Sequence, residues 1–387
     1  MQYKCIQKKR EKMKILYFYC GEGLGHVTPT IAAGRALEKE HEVVYASYGY
    51  AREFGIKAGL NVKNVPSEIR LVGNEGRISV SKSIIETIKK TNPAALLKYR
   101  TIIKEEKPDL VISDSFMVPI IYAKHKKIPT WIILNQTALD KFFTMHANPA
   151  VRALGKLLKR FNFSVLKKAD KILVRDFAPP YTVCSQSLIF PKNAEKKIHY
   201  LGPLARKQGY EIKVKKEKQR IYSAIGGFGY RSVLLNRIVE VSKLLPNYHF
   251  DLVAGPNAII KAHGKNVTTY GNINDPLPLI KKASVAIVGA GHSTMMDATV
   301  LGTPILSAPD IAHFEQESNA NGIEKLGLGY RISYETSATK LVSLIKELEN
   351  SKTVKKKLNF MQKLAKKQDG RKEIARLARE LERKSKK

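Results

Sequence analysis

The chain has 387 residues, of which 43% are hydrophobic and 26% charged, an ordinary globular composition at a length that exceeds one hydrophobic core. Its 68 lysines and arginines outnumber 34 aspartates and glutamates, which gives a net charge of +34. The sequence has no apolar run of about 18 residues and no signal-peptide pattern, so we expect a cytoplasmic chain that does not span a membrane. Three widely spaced cysteines fit reduced thiols better than a disulfide framework or a metal site.

The excess of positive charge favours a polyanionic partner. Nucleic acid, an anionic membrane surface and a phosphorylated substrate all meet this description. No aromatic RNA-binding motif, zinc-finger spacing or helix-turn-helix pattern stands out in the sequence, which makes nucleic acid the least favoured of the three. A solvated surface shaped by genomic composition or by adaptation to heat is the alternative explanation.

Short β-rich runs alternate with helix-length segments in the first half of the chain. This arrangement predicts a parallel sheet with helices on both faces. The predicted strands are KILYFY (14–19), EVVYA (42–46), DLVISD (109–114), TWIIL (130–134) and KILVRD (171–176).

A second series of the same kind follows a connection, 201–218, that is rich in Pro, Gly and Lys. Its predicted strands are RIYSAIGG (220–227), FDLVAG (250–255), VTTYG (267–271), VAIVGAG (285–291) and PILSA (304–308). We therefore predict an α/β protein with two doubly wound, Rossmann-like domains, 13–205 and 206–387, an interdomain cleft and a helical C-terminal tail.

The first predicted strand is followed by a glycine loop, CGEGLGH, at 20–26. Its G-x-G-x-G spacing differs from the dinucleotide fingerprint, and no acidic residue ends the second strand, so a NAD site is not expected. The glycines instead let another molecule approach the backbone. His26 stands where the next helix begins, and the helix dipole there favours a neutral imidazole that can act as a general base. A histidine that only caps the helix is the alternative.

The segment 289–329 carries a second group of candidate residues. A glycine turn after a buried strand leads to His292, Ser293 and Thr294, where free backbone N–H groups and hydroxyls suit a diphosphate. Asp297 lies one helical turn beyond Ser293, within reach of ribose hydroxyls. The next helix begins with polar residues that point back to the same crevice, namely Glu315, Gln316 and Asn319. Taken singly, each piece is also explained by a helix cap, a surface acid or a polar turn.

Together these features resemble the nucleotide-sugar signature of GT-B glycosyltransferases, and the chain is most similar to the MurG-type N-acetylglucosaminyltransferases and their archaeal relatives. The resemblance covers roughly Met13 to Gly329. It implies that the first domain binds an acceptor and that the second binds a nucleotide sugar, with a UDP-sugar such as UDP-GlcNAc expected. We expect a direct displacement with inversion at the sugar carbon. No Asp-x-Asp motif of the metal-bridging kind occurs in the donor segment, so we expect no metal or cofactor.

The resemblance also implies roles for individual residues. His26 matches the base that deprotonates the acceptor hydroxyl, and Asp114 resembles the acid that orients this base in plant-type relatives. The matches to acceptor-site groups are Gly21, Gly23, Gly25, Asn135 and Gln136. The matches to donor-site groups are Arg206, Gly226, Gly227, Gly229, Gly291, His292, Ser293, Thr294, Asp297, Glu315, Gln316 and Asn319.

Three departures from the family pattern limit these implications. The ribose-binding acid is usually glutamate, whereas Asp297 is one methylene shorter. The second glycine loop reads GGFGYR (226–231) instead of the serine-glutamine form of MurG-type enzymes, so the donor sugar does not follow from the resemblance. His292 lies one position from the phosphate histidine of plant-type relatives, and we do not expect it to be catalytic.

Two segments, 78–107 and 151–171, interleave apolar residues with lysine and arginine. Such basic amphipathic stretches suit docking on an anionic bilayer, and MurG-type enzymes are peripheral enzymes that act on lipid acceptors. We therefore expect a lipid or lipid-linked acceptor and a cytoplasmic enzyme that associates peripherally with the membrane. Helices that pack a core and present solvated basic faces are the alternative.

Three other functions stay open at this point. A nucleotide-sugar 2-epimerase shares the two-domain fold and works without an acceptor, but it needs carboxylates in the cleft. A transferase for a soluble acceptor would lack membrane affinity. A non-enzymatic nucleic-acid-binding protein would explain the charge but not the residues of 289–319.

Overall fold

The computed structural model describes residues 12–385 apart from several short gaps. The gaps are residues 69, 71, 75–76, 91–92, 145, 225–231, 255–259, 261–262 and 272. All structural statements below concern the described residues.

Strands of the first half build a parallel sheet with a small hairpin outside it. The sheet strands are β1 (Lys14–Tyr19), β2 (Glu42–Ser47), β3 (Val62–Asn64), β6 (Leu110–Asp114), β7 (Thr130–Leu134), β8 (Lys171–Val174) and β9 (Ile198–Tyr200). The hairpin pairs β4 (Gly73–Asn74) with β5 (Arg77–Ile78). The sheet order is β3-β2-β1-β6-β7-β8-β9, with parallel pairing throughout.

Helices connect these strands and cover both faces of the sheet. They are α1 (Val27–Leu37), α2 (Gly49–Lys57), α3 (Val80–Lys90), α4 (Leu97–Glu106), α5 (Val118–His125), α6 (Lys141–Thr144) and α7 (Pro149–Lys168). Alternate residues of β1 enter different cores, with Tyr17 packing beneath α1 and Phe18 packing on the opposite face beside Tyr99 of α4. This alternation is what a central strand with both faces covered requires.

A second parallel sheet follows in the other half of the chain. Its strands are β10 (Arg220–Ala224), β11 (His249–Val253), β12 (Val267–Tyr270), β13 (Val285–Gly289), β14 (Ile305–Ala308) and β15 (Gly329–Arg331), in the order β12-β11-β10-β13-β14-β15. The accompanying helices are α8 (Ser232–Leu244), α9 (Leu277–Lys282), α10 (His292–Leu301), α11 (Phe314–Lys325), α12 (Ala338–Asn350), α13 (Lys352–Lys367) and α14 (Gly370–Ser385). Short 3₁₀ turns lie at Pro93–Leu96, Ser185–Ser187, Glu195–Lys197 and Gly209–Glu211. The predicted fold of two Rossmann-like domains with a helical tail is confirmed.

Some predicted strand limits need correction. KILVRD was expected to extend to residue 176, but β8 ends at Val174. The Asp176 carboxylate accepts the backbone N–H groups of Phe177 at 2.7 Å and Cys184 at 2.8 Å, and this closes the chain into a turn. The short edge strands β3, β9 and β15 were not predicted, because three residues are too few to show a period-2 pattern.

The last helix, α14, returns to the first domain. Its buried residues Ile374, Leu377 and Ala378 belong to the same hydrophobic core as Tyr17, and the helix packs against α1. Glu373 adds a contact of 2.6 Å to His199 on β9. The chain therefore passes between the two sheets twice, once through 201–218 and once between α13 and α14, while the boundaries 13–205 and 206–387 stay a prediction.

Gly202, two residues after the end of β9, lies where the end of α13 meets the first domain. Its φ is +86°, and a Cβ at this position would collide with the carbonyl group of Gln368. We expect Gly202→Ala to lower the free energy of unfolding by about 2 to 5 kcal/mol, because left-handed backbone strain and overpacking act together. Urea denaturation measures this change. In the control Gly271→Ala, where a Cβ meets nothing within 4 Å, we expect less than about 0.5 kcal/mol, and equal effects in both variants would contradict the account.

Candidate active site in the interdomain cleft

The carboxyl ends of the two sheets meet at the cleft between the domains. In the first sheet β1 lies between β2 and β6, and in the second β10 lies between β11 and β13, so each sheet has a switch point where ligands of open α/β folds bind. Residues that follow the strands of the two sheets contact each other directly. The contacts across the cleft are Ser293 Oγ to Gly25 O at 2.8 Å, Asn135 Nδ2 to Glu315 Oε1 at 2.6 Å, and His292 Nε2 to Asp176 Oδ2 at 3.1 Å.

His26 and Asp114 form a hydrogen-bonded pair. His26 is the residue before α1, and its Nδ1 lies 2.9 Å from Oδ1 of Asp114, the last residue of β6. The histidine side chain is 19% exposed, whereas the aspartate is 0% exposed. An ionised Asp114 accepts the Nδ1 proton, which leaves Nε2 of the neutral ring with its lone pair. The structure thus brings together the two residues that the resemblance named as base and orienting acid.

Burial opposes the charge of Asp114, and the Arg175 guanidinium together with hydrogen bonds to the carboxylate outweighs this effect. Desolvation raises the pKa of its carboxyl, but the Arg175 guanidinium and His26 lower it further, and the net pKa lies below the ordinary value. The Ser115 hydroxyl also donates to Asp114 Oδ1 at 3.1 Å. Asp114 is therefore ionised at neutral pH, as the orientation of His26 requires.

The glycines of the first loop serve its backbone path. A Cβ on Gly21 would lie 2.6 Å from the Tyr48 ring, and Gly23 has a φ of +70°. Gly25 is exposed, and a Cβ there would meet nothing within 4 Å. Two of the glycines are thus required by the fold, while Gly25 leaves room in front of His26.

Arg175, which sequence reasoning missed, lies at the centre of the site. It is 3% exposed and follows β8 directly. Its Nη1 donates to the Gly25 carbonyl at 2.8 Å and lies 3.5 Å from Asp114 Oδ2, while its Nη2 donates to Asn135 Oδ1 at 2.9 Å. One guanidinium thus contacts the glycine loop, Asp114 and a residue predicted for the acceptor site.

Asn135 and Glu315 link the domains instead of facing open space. Asn135 is 1% exposed and donates from Nδ2 to Glu315 Oε1, which also accepts from Asn319 Nδ2 at 3.1 Å. Gln316 is buried and makes both of its side-chain hydrogen bonds to Asp310, at 2.8 and 3.2 Å. Glu315 and Asn319 therefore reach the cleft, whereas Gln316 braces its own loop. Gln136 is half-buried, and its Oε1 has no hydrogen-bond partner among the described residues.

The start of α10 faces the first glycine loop. Gly291 is the cap residue, and His292, Ser293 and Thr294 form the first turn, whose backbone N–H groups have no partner within the helix. The Ser293 hydroxyl donates across the cleft to Gly25 O. His292 is 3% exposed and bonds to Asp176 of the first domain, so its ring joins the domains. Of these residues, Thr294 offers its hydroxyl to an anion at the helix N-terminus, whereas the Ser293 hydroxyl is engaged by Gly25 and leaves its backbone N–H for an anion.

Asp297 and Arg206 line a narrow pocket between the domains. The pocket is lined by Thr28, Pro29, Arg175, Leu204, Arg206, His292, Ser293, Met296 and Asp297. Burial raises the pKa of Asp297 to about 6, with Arg206 acting to lower it and Asp275 to raise it. The predicted ribose acid and the predicted arginine of the connection thus lie beside the N-terminus of α10.

The second glycine loop lies outside the described residues. Gly226, Gly227 and Gly229 belong to the gap 225–231, between the end of β10 and the start of α8 at Ser232. Their predicted contacts with a diphosphate or sugar stay a prediction.

One group of potential metal ligands occurs among the described residues. Ligating atoms of Asp176, Cys184 and His292 lie within 4.8 Å of one another, and all three residues are buried. Asp176 Oδ2 already accepts the Cys184 backbone N–H at 2.8 Å and lies 3.1 Å from His292 Nε2. Burial and the neighbouring Asp176 carboxylate raise the pKa of the Cys184 thiol. The trio is thus a neutral-thiol hydrogen-bond network that connects the two domains.

A sequence signal for Arg175 and Asp176 was present in KILVRD. Two charged residues end an otherwise apolar strand, and charged groups at the carboxyl end of a buried parallel strand lie at the edge where ligands bind. The pattern was assigned wholly to the strand, which is why both residues were missed.

Comparison with known families agrees with this architecture. The profile of the family described as Glycosyl transferase family 1 matches residues 13–213, more than half of the chain. The profile described as Glycosyltransferase family 28 C-terminal domain matches residues 243–374. The first match covers the whole first sheet, and the second covers β11 to β15 of the second sheet.

Similar proteins extend over nearly the whole chain. A protein of Methanosarcina acetivorans described as an uncharacterized glycosyltransferase is 38% identical over 94% of this chain and 97% of its own length. The UDP-N-acetylglucosamine--N-acetylmuramyl-(pentapeptide) pyrophosphoryl-undecaprenol N-acetylglucosamine transferase of Listeria monocytogenes is 26% identical over 94% of this chain and 97% of its own. The solved structure of the glycotransferase of kitacinnamycin covers 96% of this chain and 99% of its own, with a TM-score of 0.70 at 16% identity, a likeness of fold. Because the chain has a cleft between two Rossmann-like domains and matches these families and relatives, it belongs to the GT-B glycosyltransferases and is a distant relative of the MurG-type enzymes.

Proposed function

We propose that this glycosyltransferase is an inverting, metal-independent hexosyltransferase that moves a sugar from a UDP-sugar to a hydroxyl of a lipid-linked acceptor. The observation that carries the proposal is the His26–Asp114 pair, which faces the N-terminus of α10 across the cleft. A base and an anion site on opposite sides of one cleft are what a direct displacement at a sugar carbon needs.

In the proposed displacement, His26 acts from one side of the cleft and the N-terminus of α10 acts from the other. His26 Nε2 takes the proton of the acceptor hydroxyl while its oxygen attacks the anomeric carbon, and the bond to the nucleoside diphosphate breaks on the opposite face. A single displacement of this kind inverts the configuration. The departing diphosphate gains negative charge, which the dipole and free N–H groups of α10, including that of Ser293, stabilise together with the Thr294 hydroxyl.

The donor site is assigned to the second domain. Asp297 would accept hydrogen bonds from ribose hydroxyls, and Glu315 and Asn319 would contact the sugar. The name of the Listeria monocytogenes relative includes UDP-N-acetylglucosamine, which supports a UDP-sugar donor. The shorter side chain of Asp297 and the GGFGYR loop leave the identity of the sugar to experiment.

Exposed apolar side chains on the first domain support a lipid acceptor. Ile88 on α3 is 72% exposed and Leu157 on α7 is 61% exposed, each among lysines and arginines. The Ser81 hydroxyl lies 2.9 Å from His146 Nε2, so α3 and the start of α7 are neighbours. Apolar residues within a basic surface bind anionic bilayers through both burial and charge. None of the described helices has the length and apolar character needed to cross a bilayer, and the Listeria relative's name includes an undecaprenol-linked acceptor.

Removal of His26 tests the base. We expect His26→Ala to lower turnover about a hundredfold or more while donor affinity stays nearly unchanged, because the donor binds across the cleft. The measurement is sugar transfer from UDP-sugars to a membrane-lipid extract, with calorimetry for UDP binding. The exposed His125, at the end of α5, provides a matched control in His125→Ala. Near-normal turnover of His26→Ala would contradict its role, and conversion of most of a donor incubated alone would indicate an epimerase instead.

The buried carboxyl of Asp297 predicts a pH-dependent donor affinity. Because its pKa is raised to about 6, the carboxyl is ionised above this pH and neutral below it. Affinity for UDP-GlcNAc, whose phosphates do not titrate in this range, is expected to fall as pH is lowered through 6, by up to about tenfold per unit. Asp297→Asn should weaken binding by about 1 to 3 kcal/mol at neutral pH and remove the pH dependence. Calorimetry with the exposed Glu335→Gln as control checks both effects, and unchanged affinity in Asp297→Asn would refute the ribose assignment.

The apolar residues of α7 predict a salt-resistant part of membrane binding. Sedimentation with phosphatidylglycerol vesicles should show binding that falls with salt but does not vanish, since apolar burial is not screened. Replacing Leu157 and Phe161 together by serine should weaken binding at high salt about tenfold or more. Leu244→Ser, which removes a 50% exposed leucine on the second domain, is the control and should bind normally. Absence of binding to anionic vesicles, or much tighter binding to DNA, would remove the lipid acceptor and leave a transferase for a soluble acceptor.

A further inference from the structure

A continuous series of polar contacts joins the second domain to the proposed base. Glu315 accepts from Asn135 at 2.6 Å, Asn135 accepts from Arg175 at 2.9 Å, and Arg175 lies 3.5 Å from Asp114, which holds His26 at 2.9 Å. Asn135, Arg175 and Asp114 are each no more than 3% exposed. The route from a residue at the donor side to the base therefore runs through groups that water does not screen.

Arg175 is the member of this series that contacts both the carboxylate of Asp114 and the glycine loop. Its guanidinium lowers the pKa of the buried Asp114 carboxyl, against the effect of burial. The same guanidinium donates to the carbonyl of Gly25, the residue before His26. That carbonyl also accepts from Ser293 at the start of α10. Arg175 and Ser293 thus hold one loop carbonyl from opposite domains.

We propose, on the basis of the proposed transferase function, that Arg175 is a positioning residue that acts through Asp114 and His26. It keeps Asp114 ionised, so that the Nδ1 proton of His26 is held and Nε2 points its lone pair to the acceptor hydroxyl. It also fixes the position of the glycine loop, because it donates to the Gly25 carbonyl that Ser293 of the second domain contacts as well. These shared contacts align the proposed base with the donor site.

A direct contact of Arg175 with the donor diphosphate is the competing role. Arg175 lines the same pocket as Ser293 and Asp297, so this role has a structural basis. The two roles differ in kinetics, because a diphosphate ligand contributes to donor affinity, whereas a positioning residue contributes to turnover through the base. They also differ in pH dependence, since only the positioning role passes through the ionisation of Asp114.

A double-mutant cycle with His26 separates these roles. We expect Arg175→Met to lower kcat about a hundredfold with donor KM changed less than about threefold, and Arg175→Lys, which keeps the charge, to lower kcat only about tenfold. In a His26→Ala background, Arg175→Met should cost less than about threefold more, because its effect passes through His26. The acid limb of the kcat profile should move to higher pH in Arg175→Met and stay in place in Arg175→Lys.

The matched control is Arg220, which pairs with the equally buried Asp251 at 2.7 and 2.9 Å at the opposite end of the second sheet. Arg220→Met leaves a buried carboxylate without its cation in the same way, so any loss due to instability alone appears in both variants. It should leave the acid limb of the kcat profile unchanged, and its effect on turnover should be the same with or without His26.

A raised donor KM with unchanged kcat, or fully additive effects with His26→Ala, would overturn the positioning role. A readout without activity keeps the question separate from the proposed function. In protein labelled with ¹³C-aspartate, and with Asp114→Asn to identify the signal, the Asp114 carboxyl should titrate at higher pH in Arg175→Met than in the wild type or Arg175→Lys. If no UDP-sugar is transferred but this shift is present, the transferase proposal fails while the link from Arg175 to Asp114 holds. An unchanged titration would remove that link whatever the activity.

Discussion

Asp114 carries its charge at a point without solvent exposure, and Arg175, itself buried, lies 3.5 Å away. A buried ion without a partner costs several kcal/mol, so each of these residues is tolerated only because the other is present. The pair in turn explains its surroundings. The guanidinium has hydrogen bonds left over for Gly25 and Asn135, and the carboxylate has a second oxygen for His26. The glycine loop, His26 and the link to the second domain are therefore arranged around one ion pair at the ends of β6 and β8.

The two parallel sheets decide where this ion pair can act. Because all strands of each sheet run in one direction, their carboxyl ends and the loops that follow them lie on one edge. The two edges are opposed, so the N-terminus of α10 in the second domain faces the glycine loop of the first, next to His26. The same topology that folds each domain therefore places the proposed proton acceptor on one side of the cleft and the proposed anion site on the other.

The sequence predicts well whatever is local and periodic. The central strands, the glycine loop, the helix start at Ser293 and the pairing partner of His26 were all identified from short motifs and from the family resemblance. Arg175 was not, because its importance comes from residues 61 and 150 positions away at Asp114 and Gly25, and such distances leave no mark on local periodicity. Asn135 was assigned to the acceptor, yet its amide bonds to Glu315, 180 positions later. The packing of α14 on the first domain was not predicted for the same reason. Its apolar stripe indicates that the helix packs on a core, but it does not indicate which core.

The packing of α14 against the first domain also limits how this chain can be recombined with a relative. A single crossover in the connection between the domains would exchange everything after about residue 205. In this chain it would carry Ile374, Leu377 and Ala378 along with the second sheet and set them against the foreign partner's α1 and β1. The core of the first sheet is therefore discontinuous in sequence, and the sixteen residues of α14 complete it. Exchange of the second sheet as a unit requires two crossovers, one near residue 205 and one between Gln368 and Gly370, so that each parent keeps its own α14.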